Sequence, residues 1–495
     1  MSQPEAIARD ARRKPDFLTA SATALAGAIR RGDCSAREVV ETHIAHLERV
    51  NPVLNAVVMT RVGAARAEAD RADAQLAQAR AANTLDTLPP LLGVPCTIKE
   101  NFEFEGTPQA AGLVARRHIV NERDAVTVAR LRAAGAIPLG VSNTSELCMW
   151  MESYNEVYGR SNNPYDETRI VGGSSGGEGA IVGSGASPFG LGADVGGSIR
   201  MPAFFNGVFG HKCSPRLVPN EGQYPGPQGR VDDFLSTGPL CRRAEDLEPL
   251  LRILGGPDAE KLQSPASVDI AGLRVLTLLP DRGPRAKQDL CEARARAVRT
   301  LREAGARVVP VDLPLLDKGF DIWSSMLAEA GGPSFAEMMF GTRRPARALL
   351  EFGRLLAGRS PHTLPLVILA LLEKVPEIAP GRARKFVAQG LELRQRLHEA
   401  LGDDGVLVTL PYTEVAPRHG KPLFPPFNWV RCAIFNAMSV PSTAVPMGLN
   451  AQGLPLGVQI VAAQDRDHLS LACALELEKR IGGWVPPWTQ PRRRA

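Results

Sequence analysis

The chain has 495 residues, 44% apolar and 22% charged, a balance that excludes a disordered chain, a collagen-like fibre and a polytopic membrane protein. Its 58 Lys and Arg against 53 Asp and Glu leave a formal charge of +5, too mild over this length to imply nucleic-acid binding. Eight cysteines, at 34, 96, 148, 213, 241, 291, 432 and 473, form no CxxC pair, which argues for free thiols in a reducing compartment and against a zinc or dithiol redox site.

Residues 1–34 read as an arm bearing Arg9, Arg12, Arg13 and Lys14 and the start of a helical region. Its apolar run is mostly Ala, Ser and Gly behind Glu5, Asp10 and Asp16, unlike a secretory signal. Residues 21–82 read helical. Ser35 can cap a helix whose Val39, Val40, Ile44 and Leu47 recur at three- and four-residue spacing, and an Ala- and Arg-rich helix spans about 62–82. From Leu91 the texture changes. Short apolar runs (Leu92–Ile98, Ala136–Val141, Val308–Val311, Leu456–Ala462) alternate with helical patterns at Asp124–Ala134, Ala293–Ala304 and Arg384–Leu401. That alternation predicts an α/β fold with helices covering a sheet. With no repeat and no linker, one domain is expected over 35–488, followed by a tail at 489–495.

The segment 342–376 mixes Arg343, Arg344, Arg347, Arg354 and Arg359 with Leu349, Leu350, Phe352, Leu355 and Leu356, then runs apolar from Leu364 to Leu372 around Pro365. It reads either as surface helices packed on the core or as an amphipathic patch that touches a membrane or admits a greasy substrate. No stretch approaches the roughly 18 apolar residues of a membrane span, so a cytoplasmic protein is expected.

The chemistry concentrates between Gly172 and Ser198, where 27 residues hold eleven glycines and five serines. Ile181, Val182, Phe189, Leu191 and Val195 anchor this stretch in a core, so it is no linker. It lacks the Gly-Lys-Ser/Thr ending of a phosphate loop, and the GxGxxG spacing fits poorly. Gly196-Gly197-Ser198 instead places a hydroxyl after two residues whose N–H groups can approach a carbonyl and stabilise an oxyanion. The hydroxyl needs a base. No histidine lies in the stretch, but lysine is scarce, ten against 48 arginines, and only Lys99 and Lys212 fall between residues 15 and 260. A buried lysine can be driven to neutrality; arginine cannot.

These residues resemble the amidase signature family. The matching blocks are Lys99, Gly172-Gly173-Ser174-Ser175-Gly176-Gly177 and Asp194-Val195-Gly196-Gly197-Ser198-Ile199-Arg200, continuing through Met201–Gly207 and Gly210-His211-Lys212. Within that family the chain is similar to fatty acid amide hydrolases of the type 2 kind, through Gly159–Tyr165, Gly402–Val406 and Gly453–Gly457. The resemblance runs from about residue 35 to Trp488. It implies the amidase signature fold, a large mixed twisted central sheet covered on both faces by helices. It implies a serine amidohydrolase that forms an acyl-enzyme on Ser198, with Ser174, in a cis peptide, relaying a proton to Lys99. Backbone N–H groups of Val195, Gly196, Gly197 and Ser198 would form the oxyanion hole. Ser175 would add a supporting hydrogen bond, Asp194 and Arg200 would orient, and Met149, Trp150 and Met151 would line the acyl pocket. No metal and no cofactor is expected. The expected partner is a small-molecule amide, with no nucleic acid; peripheral membrane contact through 342–376 and a homodimer stay open.

Two rival enzymes share parts of this pattern. An α/β-hydrolase would use Ser175 of Gly173-Ser174-Ser175-Gly176-Gly177 with Asp403 and His419, but would leave Lys99 and Ser198 unexplained. A glutamine-hydrolysing amidotransferase subunit would share the triad but need a polar pocket, against the apolar 342–376 segment. A non-catalytic binding protein would be expected to have lost Lys99 or Ser198.

Overall fold

The computed structural model describes residues 15–332, 334–341, 345–372 and 380–489. The basic start of the arm, the tail past Thr489, and residues 342–344 and 373–376 of the amphipathic segment, with Arg343 and Arg344, lie outside the described residues.

Three helices open the chain: α1 (Ala22–Arg31), α2 (Ala36–Leu54) and α3 (Val62–Ala81). Ser35 caps α2 as expected. Its hydroxyl accepts the Glu38 N–H while the Glu38 carboxylate accepts the Ser35 N–H, satisfying two donors that the helix leaves orphaned. The expectation of helix throughout 21–82 fails at Val57–Thr60, which forms strand β1. Asn55, at φ 45°, ends α2, and the Asn51 side chain accepts the N–H groups of Ala56 and Val57. The chain therefore leaves the helix just where β-branched Val57 and Val58 favour a pleated surface.

The strands that follow are β2 (Pro95–Lys99), β3 (Ile137–Ser142), a small ribbon of β4 (Tyr154–Asn155) and β5 (Gly159–Arg160), then β6 (Phe189–Asp194), β7 (Phe209–Lys212), β8 (Ser236–Cys241), β9 (Arg274–Leu278), β10 (Arg307–Val311), β11 (Gly405–Thr409), β12 (Ser442–Leu449) and β13 (Pro455–Ala462). All but the ribbon join one eleven-stranded sheet in the order β1-β3-β2-β6-β8-β7-β12-β13-β11-β9-β10. It is mixed: β2 runs parallel to β3 and β6, whereas β6–β8 and β12–β13 are antiparallel. The flanking helices are α4 (Val126–Ala133), α5 (Gly176–Gly183), α6 (Arg200–Phe205), α7 (Leu247–Gly255), α8 (Gln288–Glu303), α9 (Gly319–Ala330), α10 (Phe335–Phe340), α11 (Pro345–Leu356), α12 (Leu364–Leu372), α13 (Pro380–Leu401), α14 (Val430–Ala437) and α15 (Asp467–Ile481). This is the single-domain α/β architecture the sequence pattern implies.

One feature of the sheet positions the site. Thr97 and Ile98 of β2 pair with Gly190 and Leu191 of β6, side by side and in the same direction. The carboxyl ends of the two strands, Lys99 and Asp194, therefore emerge at one edge, where ligands bind in sheets of this kind. Both strands are buried along their whole length, as parallel strands covered on both faces must be. A separate apolar cluster joins Leu113 and Leu147 to Met339, Ala348, Leu366 and Val367 of α10–α12, so the amphipathic segment does pack on the body. Leu349, Leu350 and Leu356 of α11 nevertheless remain 65%, 66% and 75% exposed.

Candidate active site

Lys99 ends β2 fully buried, and its Nζ donates to Ser174 Oγ at 2.7 Å. Burial lowers its pKa from the ordinary lysine value, offset in part by the Cys148 thiol facing Nζ and by Asp194 and Glu178. Protonated, Nζ donates along this line; neutral, its lone pair can take the Ser174 proton along the same line.

Ser174 sits in the turn that feeds α5, after a cis Gly173–Ser174 peptide. The turn is braced by a residue that motif reading passes over. Ser153 Oγ lies 3.0 Å from the Gly172 carbonyl and 3.2 Å from that of Ser174, and it accepts the Gly176 N–H at 3.0 Å. Gly173 can only be glycine, because a Cβ there would lie 2.2 Å from the Trp150 carbonyl oxygen.

The Asp194–Ser198 turn is tied to the start of α5 by backbone contact, Ser175 N–H donating to the Ser198 carbonyl at 3.2 Å. Ser198 is 7% exposed while Ser174 is 1% and Lys99 0%, so of the three only Ser198 meets the outside. Asp194 organises the turn. Its carboxylate accepts N–H groups from Gly197 at 2.6 Å and Ile199 at 3.1 Å and forms a fully buried ion pair with Arg200 at 3.0 Å. Burial would raise the Asp194 carboxyl, but Arg200, Asn436 and the Gly197 N–H outweigh it and hold it well below the usual carboxylate range. Arg200 is held in turn by the Cys432 carbonyl and by Asn436 Oδ1. Gly197 needs its φ of +110°, and a Cβ there would lie 2.6 Å from Cys432 Cβ.

Of the four N–H groups assigned to an oxyanion hole, that of Gly197 is directed at Asp194. Among the described residues no protein acceptor takes those of Val195, Gly196 or Ser198. The Ser175 hydroxyl donates to the Ala193 carbonyl and accepts the Ala193 N–H. It is not brought to the rival triad partners, since Asp403 pairs with Arg466 and His419 with Glu152. His211 is structural, held between Thr443 and Asp467.

The residues expected for an acyl pocket divide. Met149 packs against the α10–α12 cluster, whereas Trp150 and Met151 belong with the main core, Met151 accepting from the Tyr412 hydroxyl at 3.5 Å. Their strip is clamped at both ends. Glu146 binds His362 at 2.7 Å and the Thr363 N–H, and Glu152 binds His419 at 2.6 Å and the Gly420 N–H. All eight cysteines are free thiols. Among the described residues no helix is long and apolar enough to cross a membrane, and no group of His, Cys, Asp or Glu could hold a metal.

A mixed sheet that delivers a buried lysine, a serine-rich turn and a Gly-Gly-Ser turn to one edge defines an amidase-signature hydrolase, a class that acts on amide bonds. The chain belongs to the Amidase family, whose model matches residues 38–471. It is 46% identical to "Fatty-acid amide hydrolase 2-A" of Danio rerio over 483 residues, covering 95% of this chain and 90% of the relative. It is 43% identical to "Fatty-acid amide hydrolase 2" of Homo sapiens over 482 residues, covering 95% and 91%. A solved structure described as a crystal structure of amidase superposes with a TM-score of 0.75 at 26% identity, over 94% of this chain and all (100%) of that one.

Proposed function

We propose that the chain hydrolyses carboxylic amides with long apolar acyl groups through an acyl-enzyme on Ser198. The Ser198 Oγ–H bond breaks as Oγ attacks the amide carbon; the proton passes to Ser174, and the Ser174 proton to neutral Lys99. The carbonyl oxygen becomes an oxyanion held by the N–H groups of Val195, Gly196 and Ser198. The C–N bond then breaks while Lys99 returns its proton through Ser174 to the departing nitrogen, leaving an ester on Ser198. Water repeats the cycle and releases the acid. Amines are poor leaving groups, so the returned proton matters as much as the activated nucleophile.

The observation that carries this reading is the 2.7 Å contact between two fully buried residues, Lys99 and Ser174, on a lysine whose charge burial disfavours. The long-chain preference is supported by the apolar cluster of Leu113, Leu147, Met149, Met339 and Leu366 and by what the relatives are named for acting on. The same cluster gives no support to a pocket for glutamine, so an amidotransferase subunit is not favoured.

Labelling with a serine-reactive fluorophosphonate, followed by peptide mapping, tests the reading. Label on Ser198, slowed in Lys99→Ala, together with hydrolysis rising with acyl length, is expected. Label on Ser175, or none on Ser198 in an active preparation, would overturn it.

A further inference from the structure

We infer that Trp323 is a positioning residue for the oxyanion site: by donating its indole Nε1–H to the Val195 carbonyl at 3.2 Å, it fixes the peptide plane whose other end presents the Gly196 N–H to the reacting oxygen. The inference rests on the reaction proposed above. A peptide bond is planar, and the Val195–Gly196 bond is trans, so its N–H points opposite to its C=O. Holding the carbonyl oxygen therefore aims the N–H. The need is specific to this place, because Gly196 has no side chain to oppose a rotation of the plane. A flipped plane would put a carbonyl oxygen where a developing negative charge requires a donor.

The neighbouring planes are held in their own ways. Asn436 Nδ2 donates to the Asp194 carbonyl at 3.0 Å, which aims the Val195 N–H, and Asp194 Oδ1 takes the Gly197 N–H. Trp323 supplies the hold that is missing between them. It reaches the turn from α9, remote in sequence, and is 8% exposed. Its ring is wedged edge-on against Trp429 at 4.7 Å, and both indoles stand 3.5 Å from where a Cβ of residue 196 would lie. Phe320 and Phe427 complete the same aromatic wall with rings alone. Packing there asks only for a ring; an indole N–H that reaches the Val195 carbonyl is what sets Trp323 apart from Phe320, Phe427 and Trp429.

The test is steady-state kinetics of Trp323→Phe on an amide substrate, with inhibition by a trifluoromethyl ketone, whose tetrahedral adduct on a serine carries an oxyanion. An interaction felt only in the transition state lowers kcat and leaves KM alone. We expect kcat about tenfold lower, KM within twofold and ketone affinity about tenfold weaker, since loss of a whole oxyanion donor costs roughly a hundredfold or more. Wild-type kcat and ketone affinity would overturn the inference, as would a loss shared equally by kcat and KM together with a lowered Tm. Should Trp323→Phe fold poorly, 3-benzothienylalanine at position 323 keeps the indole shape, replaces only the N–H, and faces the same criteria. Ser198→Ala, assayed alongside, separates the failures. Turnover by that variant defeats the proposed reaction itself; an inactive Ser198→Ala beside an unaffected Trp323→Phe defeats only the role of Trp323.

Discussion

Lys99 Nζ and Ser174 Oγ meet at 2.7 Å across the gap between the end of β2 and the turn before α5. Each comes from a separate segment, and the parallel pairing of β2 with β6 sets the Ser198 turn beside them. The first expectation concerns proton flow through that contact. Burial lowers the Lys99 pKa, and in the proposed reaction the neutral amine is the working form, so kcat/KM should rise with pH through one ionisation placed below the ordinary lysine value. A profile flat from about pH 6 to pH 10 would contradict the role. Lys99→Met should lose about a hundredfold or more in kcat, as expected for removal of a general base. Because the wild-type amine is held in a site that disfavours its charge, Lys99→Met should not lower Tm, and a calorimetric scan reads this directly.

Ser174 and Ser198 are distinguishable by experiment. In the proposed reaction Ser198→Ala removes the attacking atom, so it should abolish both turnover and fluorophosphonate labelling. On the same proposal Ser174→Ala interrupts only the proton path, so labelling should persist at a rate lower by about a hundredfold to ten-thousandfold. Equal labelling rates in Ser174→Ala and wild type would remove Ser174 from the path.

The buried pair Asp194–Arg200 should be worth more to the fold than to the chemistry. Asp194→Asn leaves the Arg200 guanidinium buried without its counter-charge, with the Gly197 and Ile199 N–H groups bound to a weaker acceptor. Breaking such a pair costs about 3–5 kcal/mol, so urea denaturation should show a loss of that order. An unchanged midpoint would mean that the pair does not hold the turn.

Much of this site was legible because its chemistry is local in sequence. The Gly172–Gly177 and Asp194–Arg200 blocks each fold on themselves, and Lys99 stands out in a chain that otherwise prefers arginine. What stayed hidden arrives from afar. Trp323 and Asn436 lie more than a hundred residues from the peptides they hold, and neither carries a local pattern that distinguishes it from core. Ser153 is an unremarked serine until the Gly172–Gly176 turn folds over it. The direction of the Gly197 N–H could not be read from glycine spacing, because it depends on where the Asp194 carboxylate swings once Arg200 has paired with it. Strand β1 is hidden for a similar reason: four residues between two long helices become a strand only through their pairing with β3.

The exposed face of α11 offers a test for peripheral membrane contact. Leu349, Leu350 and Leu356 project into solvent while Ala348 on the same helix is buried, and Arg347 and Arg354 accompany them, the pattern of a helix that lies on an anionic lipid surface. Replacing the three leucines with serine should release the protein from anionic phospholipid vesicles in a sedimentation assay. Hydrolysis of a short soluble amide should stay within twofold of wild type. Equal losses on short and long amides would mean that the substitutions simply unfold the segment.

Glu178 supplies a stability test whose sign can be worked out. It lies on α5 one turn beyond Ser174, fully buried, with Oε2 2.5 Å from the Thr97 hydroxyl. Burial raises its pKa from 4.5 to about 7, against the opposing pull of Thr97, Ser142 and Lys99. Below pH 4.5 the carboxyl is protonated in both folded and unfolded chains. Between 4.5 and about 7 the folded chain keeps the proton and the unfolded chain gives it up. Folding therefore binds a proton in that window, and stability falls as pH rises through it. Glu100, raised to about 7 by burial as well, adds a slope of the same sign, so the wild-type curve alone does not isolate Glu178. The difference between Glu178→Gln and wild type does. Glutamine keeps the shape and an amide group for Thr97 but carries no charge. The variant should gain stability on wild type as pH rises from 4.5 to 8, by about 3 kcal/mol in all at 1.36 kcal/mol per pKa unit. A difference that stays constant across that range would show that Glu178 has an ordinary carboxylate pKa and that its niche beneath Ser174 is wet.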